Sequence, residues 1–310
     1  TIFGTSLSKK RACAIRTYRV DWIAMNIDEL IAMALEEDLD QAGDVTSRAI
    51  FGPEEGKAAL VSKDSGILAG IEPFVRTFHA VDPEVRVDIL RNDGDILEKG
   101  TRIAVVSGKV LSLLTAERTA LNFLSYLSGI ATKTNRMAAA AFEGCTILDT
   151  RKTLPGYRRL AKYAVGVGGG GNHRMGLYDM VMIKDNHIDA AGSITEAVER
   201  VREKWGDSYR IEVECRTLDE VREALALAVD VVMLDNMDPA TAARAAALRR
   251  ETGAEGVLFE VSGNMNEEKI RAYSPSGIDY ISVGGLTHSV EAFDFSMIIT
   301  EQAEYQHEQL

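Results

Sequence analysis

Between Arg151 and His187 the sequence carries seven Lys/Arg and only two Asp/Glu, in a chain whose formal net charge is −12. Arg151 and Arg174, with Arg118 further upstream, have the planar fork that donates two parallel hydrogen bonds to a carboxylate or phosphate. Lys152 and Lys184 are point charges suited to phosphates. His173, directly before Arg174, can donate to an anion or move a proton. Gly168–Gly171 would let backbone N–H groups approach an anion, although such a run is more often a flexible loop. Glu214 and Asp235 are carboxylates among these cations. They suit Mg²⁺, which takes one or two carboxylates plus substrate phosphates, or else ion pairs with Lys152 or Lys184. Ser262–Gly263 and Gly284–Gly285 resemble the phosphate cradle of late barrel strands. Together these residues describe a site for a phosphorylated, metal-chelating substrate and a small carboxylic acid. They do not by themselves choose between phosphoribosyl transfer, an aldolase and an isomerase. A compact basic island in an acidic chain suits a small polyanion and not a nucleic-acid surface.

Positioning residues scattered over some 130 positions requires a particular scaffold. From Cys145 onward, short apolar runs end in polar residues and are followed by helical patterns. The runs are Cys145–Asp149, Asp179–Ile183, Ile211–Val213, Val229–Leu234, Gly256–Val261 and Ile278–Val283. Helical patterns cover Ser193–Lys204, Leu218–Leu227, Pro239–Arg250 and Asn266–Ala272. Strands alternating with helices predict βαβ units and a parallel sheet. Six units without an opening GxGxxG favour an α/β barrel over an open dinucleotide-binding sheet. In such a barrel the carboxyl ends of the strands share one mouth, where Lys152, Lys184, Glu214, Asp235, Ser262 and Gly284 all fall.

The N-terminal part reads differently. Ile27–Glu37 is a short amphipathic helix. Lys57–Ala69 and Val85–Val110 are antiparallel strand material broken by turns at Asp64-Ser65-Gly66, Asn92-Asp93-Gly94 and Glu98-Lys99-Gly100. A long helix follows from about Leu111 to Ala141, with Leu114, Leu121, Leu124 and Leu127 as its apolar stripe and Arg118 on it. The expected organisation is a basic N-terminal extension over 1–24 and an α/β sandwich over 25–115. A barrel over 116–290 follows, then a C-terminal segment over 291–310 that returns to the sandwich. Lys9, Lys10, Arg11, Arg16 and Arg19 make the extension a basic tail or an arm laid on a partner subunit. The three cysteines are few and lack metal-ligand spacing, which suits free thiols in a reducing, cytoplasmic setting. No apolar run is long enough to suggest a membrane span.

DTRKTLPGYR, GGGGNHRMGLYD, IKDNH, IEVECRTLDE, MLDNM, EVSGNMN and ISVGGLTHS, in this order, resemble the quinolinate phosphoribosyltransferase family. EDLDQAGDVTS and TAERTALNFLSYLSGIAT match its N-terminal half, so the resemblance runs over roughly residues 25 to 300. It implies an open-faced α/β sandwich followed by an irregular α/β barrel. It also implies homodimers with shared active sites, some of which assemble further. The implied reaction joins quinolinate to phosphoribosyl pyrophosphate (PRPP) with Mg²⁺, giving nicotinate mononucleotide, pyrophosphate and CO₂ for NAD biosynthesis. On the matching motifs, Arg118 reaches the partner's site, and Arg151, His173 and Arg174 bind the two quinolinate carboxylates. Lys152 and Lys184 meet PRPP, and Glu214 and Asp235 hold Mg²⁺ or ribose hydroxyls. Ser262, Gly263, Gly284 and Gly285 receive the 5′-phosphate. Leu154 stands where the family often has Thr, and Asn264 where it often has Gly. A related phosphoribosyltransferase for nicotinate or another ring acid, and a non-catalytic ligand sensor, are the competing expectations.

Overall fold

The computed structural model describes residues 27–273 and 276–300, so the basic extension expected at 1–24 lies outside the described residues. The described strands are β1 (Glu55–Ser62), β2 (Gly66–Ile67), β3 (Arg86–Ile89), β4 (Ile96–Leu97), β5 (Arg102–Lys109), β6 (Thr146–Leu148), β7 (Val181–Ile183), β8 (Ile211–Cys215), β9 (Val231–Asp235), β10 (Leu258–Ser262), β11 (Tyr280–Ser282) and β12 (Phe295–Thr300). Contacts divide the chain into two units, one ending at residue 132 and regaining the chain at 290, the other running from 133 to 289. The division falls inside the helix Val110–Ala140. The sequence pattern places it at the start of that helix.

In the first unit, β1 is central. It pairs antiparallel with β5 on one side and with β12 on the other, and β3 adds to β5. The chain therefore returns from its far end to complete this sheet. The helix Ile71–Val81, which the turn signals leave unmarked, buries Phe74 and Phe78 edge-on with ring centroids 5.1 Å apart. They join Leu60, Ile103 and Val106 of the sheet and Leu113, Leu121 and Leu124 of the long helix in one core. Leu113 is fully buried on the long helix, whereas Leu114 is half-buried. Apolar positions three and four apart on such a helix share one face, and either neighbour could have headed the stripe.

In the second unit the parallel strands lie in the order β6–β11–β10–β9–β8–β7. All six begin and end within about two residues of the sequence expectation, because strands buried on both faces read as continuous apolar runs. β6 and β7 are the two ends of this order. The free edge of β6 is taken by the glycine-rich segment: the Gly171 N–H donates to the Ile147 carbonyl (2.8 Å), and the Asp149 N–H to the Gly171 carbonyl (3.2 Å). The barrel is irregular there, with a loop standing where a strand would be. A Cβ on Gly170 would meet Thr134 Cγ2 at 2.7 Å and Val165 Cγ1 at 2.8 Å. Gly170 serves close packing of backbone, whereas Gly169 has φ +88° and open space around it.

Candidate active site

The segment that fills the gap beside β6 is pinned from within. Asp149, at the end of β6, is fully buried and accepts from His173 N–H (2.8 Å), from Asn172 Nδ2 (2.8 Å) and from Lys162 Nζ. Lys162, on the helix Arg158–Val167, also donates to the His173 carbonyl (2.8 Å). Burial pushes the Asp149 carboxyl up and the Lys162 ammonium down, and their mutual attraction opposes both shifts. This lysine and aspartate therefore hold the loop in place; they are not open to solvent.

His173 and Arg174 enter the barrel interior from that loop. His173 Nε2 lies 3.2 Å from Glu212 of β8 and 3.6 Å from Glu260 of β10. Those strands are separated by β9, so both carboxylates must face the interior. Burial lowers the His173 pKa, but the Glu260 and Glu212 charges outweigh it and raise the ring to about 9. Burial, then the Glu212 charge, raise Glu260 to about 7, although the Ser282 hydroxyl donates to it. Arg174 donates to the Met180 carbonyl (3.0 Å), and its guanidinium is held below its ordinary value by burial and then by the nearby charge of Arg151. Arg151 Nε is buried and has no hydrogen-bond partner. Two guanidiniums that repel each other, one with an unmet donor, form ground an anion would relieve.

The strand ends carry the rest. Lys184 follows β7, and its Nζ lies 3.3 Å from Glu214 of β8, the ion pair that the sequence left as one alternative. Glu212 and Glu214 are two residues apart and share a face, one deep and one near the mouth. Asp235 ends β9 and is the register partner of Ser262 on β10. The Asn236 N–H donates to the Ser262 carbonyl (3.0 Å). Gly263 has φ +134°, and a Cβ there would come within 2.5 Å of Asn236 Oδ1. Asn264 has φ +39°, so the backbone keeps the left-handed turn despite the side chain. A Cβ on Gly284 would meet Lys152 Cδ at 3.1 Å, and Gly285 opens the short helix Gly285–His288. Thr287 Oγ1 donates to the Lys152 carbonyl (2.8 Å), tying the first and last strand ends together. Lys152, Lys184, Glu214, Asp235, Ser262, Gly263, Gly284 and Gly285 thus share the carboxyl ends of the strands. Arg118 belongs to the other unit, exposed on the long helix. Cys215 is buried, and burial pushes its thiol up, as befits packing rather than nucleophilic attack. Sequence reasoning missed Asp149, Lys162, Glu212 and Glu260. Their signal was an acid inside, or at the end of, an otherwise apolar strand run, and a lysine on an apolar helix face.

Two family models match the chain in tandem: the N-terminal domain of quinolinate phosphoribosyl transferase over residues 44–128 and its C-terminal domain over residues 130–298. The chain belongs to the quinolinate phosphoribosyltransferase family. A probable nicotinate-nucleotide pyrophosphorylase (carboxylating) of Bacillus subtilis is 43% identical over 277 residues, spanning 89% of this chain and 94% of that protein. The chloroplastic nicotinate-nucleotide pyrophosphorylase (carboxylating) of Arabidopsis thaliana is 43% identical over 298 residues, spanning 88% and 83%. The crystal structure of NadC from Streptococcus pyogenes superimposes with a TM-score of 0.86 at 40% identity, covering 91% of this chain and 99% of that one. The α/β fold with a barrel and a separate antiparallel sheet is therefore the fold of this family, and the activity is that of a quinolinate phosphoribosyltransferase in NAD biosynthesis. A cavity of ≈ 300 Å³ opens beside the buried cluster and is lined by His173, Arg174, Glu212 and Glu260. Its lining includes Arg210, which precedes β8, and Val231 and Tyr280, which open β9 and β11. It is therefore at the amino-terminal end of the strands, away from the lysines and the glycine turns.

Proposed function

We propose that the strand-end constellation carries out Mg²⁺-dependent transfer of phosphoribosyl from PRPP to quinolinate with decarboxylation, giving nicotinate mononucleotide, pyrophosphate and CO₂. The observation that carries this reading is the closeness of two guanidiniums, Arg174 and an Arg151 whose Nε is unmet, in a barrel whose strand ends carry Lys152, Lys184, Glu214 and Asp235. Arg151 and Arg174 receive the two ring carboxylates; His173, expected to join them, has its ring turned to Glu212 and Glu260 and carries the loop from which Arg174 extends. Lys152 and Lys184 steady the pyrophosphate as its charge develops, the kind of electrostatic help that often dominates rate enhancement. Ser262, Gly263, Gly284 and Gly285 take the 5′-phosphate through backbone, at Gly263 in a turn where a Cβ has no room.

Glu214 and Asp235 are hard oxygen donors at the ends of adjacent strands, a donor set that fits Mg²⁺ completed by substrate phosphates. When bound, Mg²⁺ neutralises charge on the departing pyrophosphate. Glu214 otherwise keeps Lys184 in place, and Asp235 accepts from Asn236 Nδ2 (2.9 Å). The quinolinate nitrogen attacks the ribose carbon as pyrophosphate leaves. The cationic ring then draws the electron pair of the adjacent C–CO₂ bond, CO₂ departs, and a proton takes its place. No side-chain nucleophile is needed.

The working form is a homodimer in which Arg118 completes the partner's site. In support, Leu154, Leu177 and Tyr178 stand 52%, 73% and 70% exposed along the barrel loops, apolar surface of the kind a subunit covers. The free thiols Cys145 and Cys215 suit a cytoplasmic setting. Among the described residues no helix is long and apolar enough to cross a membrane. The shared site is tested by mixing an Arg118→Ala subunit with a Lys184→Ala subunit. Partial return of activity in the mixed dimers supports the arrangement, and none counts against it.

A further inference from the structure

His173, Glu212 and Glu260 offer ligand atoms that all lie within 4.8 Å of one another, deep in the barrel. All three are at least nine-tenths buried, and His173 Nε2 and both Glu212 carboxylate oxygens have no well-aligned hydrogen-bond partner. Such a trio has the spacing of a metal site, but the histidine argues otherwise. Its Nδ1 accepts the Arg174 N–H at 2.7 Å, which requires a lone pair there and leaves the proton of the neutral ring on Nε2. The two carboxylates favour the doubly protonated ring. Either form carries the proton on Nε2, the atom a metal would need bare.

We propose that Glu212 and Glu260 are positioning residues for substrate binding: they grip the His173 ring through its Nε2 proton and so fix the backbone turn from which Arg174 reaches the ring dicarboxylate. This rests on the functional reading above. The grip is built from several directions. Glu212 comes from β8 and Glu260 from β10, with Ser282 of β11 donating to the far oxygen of Glu260. Lys162 holds the His173 carbonyl and Asp149 its N–H, from the helix and from the end of β6. Arg174 and Arg151 supply the facing positive charge, and Arg174 is itself within the field of Glu212. His173 is thus fixed at both backbone groups, with Nε2 held between the two carboxylates and, in the neutral ring, Nδ1 accepting from Arg174. Only Arg174's fork then remains to be aimed, and the Met180 carbonyl holds one arm of it. The cavity at the amino-terminal end is lined by His173, Arg174, Glu212 and Glu260 with Tyr280 and Arg210, so it borders the whole cluster.

The test uses the full-length protein and the isosteric variants Glu212→Gln and Glu260→Gln. In each, KM for quinolinate should rise about tenfold while KM for PRPP and kcat stay within about threefold, the signature of lost ground-state positioning. The chain has five histidines, so ¹⁵N-labelled histidine spectra can follow the ring directly, with His173→Asn giving the assignment. The wild type should show Nε2 protonated, and either variant should shift the His173 ring signals while leaving the other rings unmoved. An unchanged quinolinate KM in both variants overturns the proposal, as does a wild-type ring with a bare Nε2. If the wild type makes no nicotinate mononucleotide the functional reading fails, and the ring spectra still decide whether the grip exists.

Discussion

Two lysine–carboxylate pairs in this barrel are alike in chemistry and opposite in setting. Lys162 and Asp149 have side chains 1% and 0% exposed and pin the loop beside β6. Lys184 and Glu214 have side chains 45% and 13% exposed and stand at the strand mouth, 3.3 Å apart. The first pair has its remaining hydrogen-bonding capacity filled by Asn172 and by the His173 backbone. The second leaves the lysine able to turn to a ligand. Burial and saturation, not residue type, separate a structural ion pair from a substrate-binding one. Each pair can be broken on its own.

The largest effect is expected at the buried pair. Lys162→Ala leaves the Asp149 charge buried and uncompensated, which should cost about 3–5 kcal/mol of stability in denaturant unfolding. The double variant Lys162→Met with Asp149→Leu should recover much of that loss, since removing both charges removes the desolvation cost as well. A loss below about 1 kcal/mol in the single variant would mean the pair does not hold the loop. At the open pair, Lys184→Ala or Lys152→Ala should lower kcat/KM by at least about 10²-fold, roughly 2.7 kcal/mol of transition-state stabilisation, with the unfolding midpoint nearly unchanged. Glu214→Gln should likewise alter stability by less than about 1 kcal/mol. Near-wild-type turnover in both lysine variants would remove the strand mouth from the chemistry.

Next in size is the packing of the loop. Gly170→Ala drives a Cβ into Thr134 and Val165 and should cost about 1–3 kcal/mol by thermal or denaturant unfolding. A neutral result would return the glycine run to the status of a flexible loop. The smallest effect is a pH slope. His173 is raised to about 9 in the folded chain against an ordinary value of 6.5, so its contribution is complete below about pH 6.5 and is lost as pH rises through about 9. Glu260, raised to about 7, acts in the same direction, because the folded chain keeps a proton that the unfolded chain has released. Stability should therefore decline from about pH 4.5 to 7 through Glu260 and from about 6.5 to 9 through His173, and His173→Asn should flatten the upper part of that decline. A rise over this interval would contradict the assignment of the buried cluster.

The barrel strands were legible because each is buried on both faces and so reads as an apolar run. The mouth residues were legible because they sit immediately after those runs. The split of the basic island was not. Lys162 and Lys184 are both lysines of one charged stretch, and only the helix Arg158–Val167 folding onto β6 sends the first inside. Glu212 and Glu260 carry no motif of their own. Their roles come from β8 and β10 each presenting an acid to the same His173 ring, a relation that residue order does not express. The Ile71–Val81 helix escaped notice because its N-cap is Gly70, without a capping side chain.

The most direct test of the account follows the label in quinolinate carrying ¹³C at the carboxyl next to the ring nitrogen, with PRPP and Mg²⁺, beside a parallel reaction with nicotinate. The account predicts labelled CO₂ and nicotinate mononucleotide in a one-to-one ratio from quinolinate, and no mononucleotide from nicotinate. Mononucleotide formed from nicotinate, or formed from quinolinate without CO₂, would contradict it.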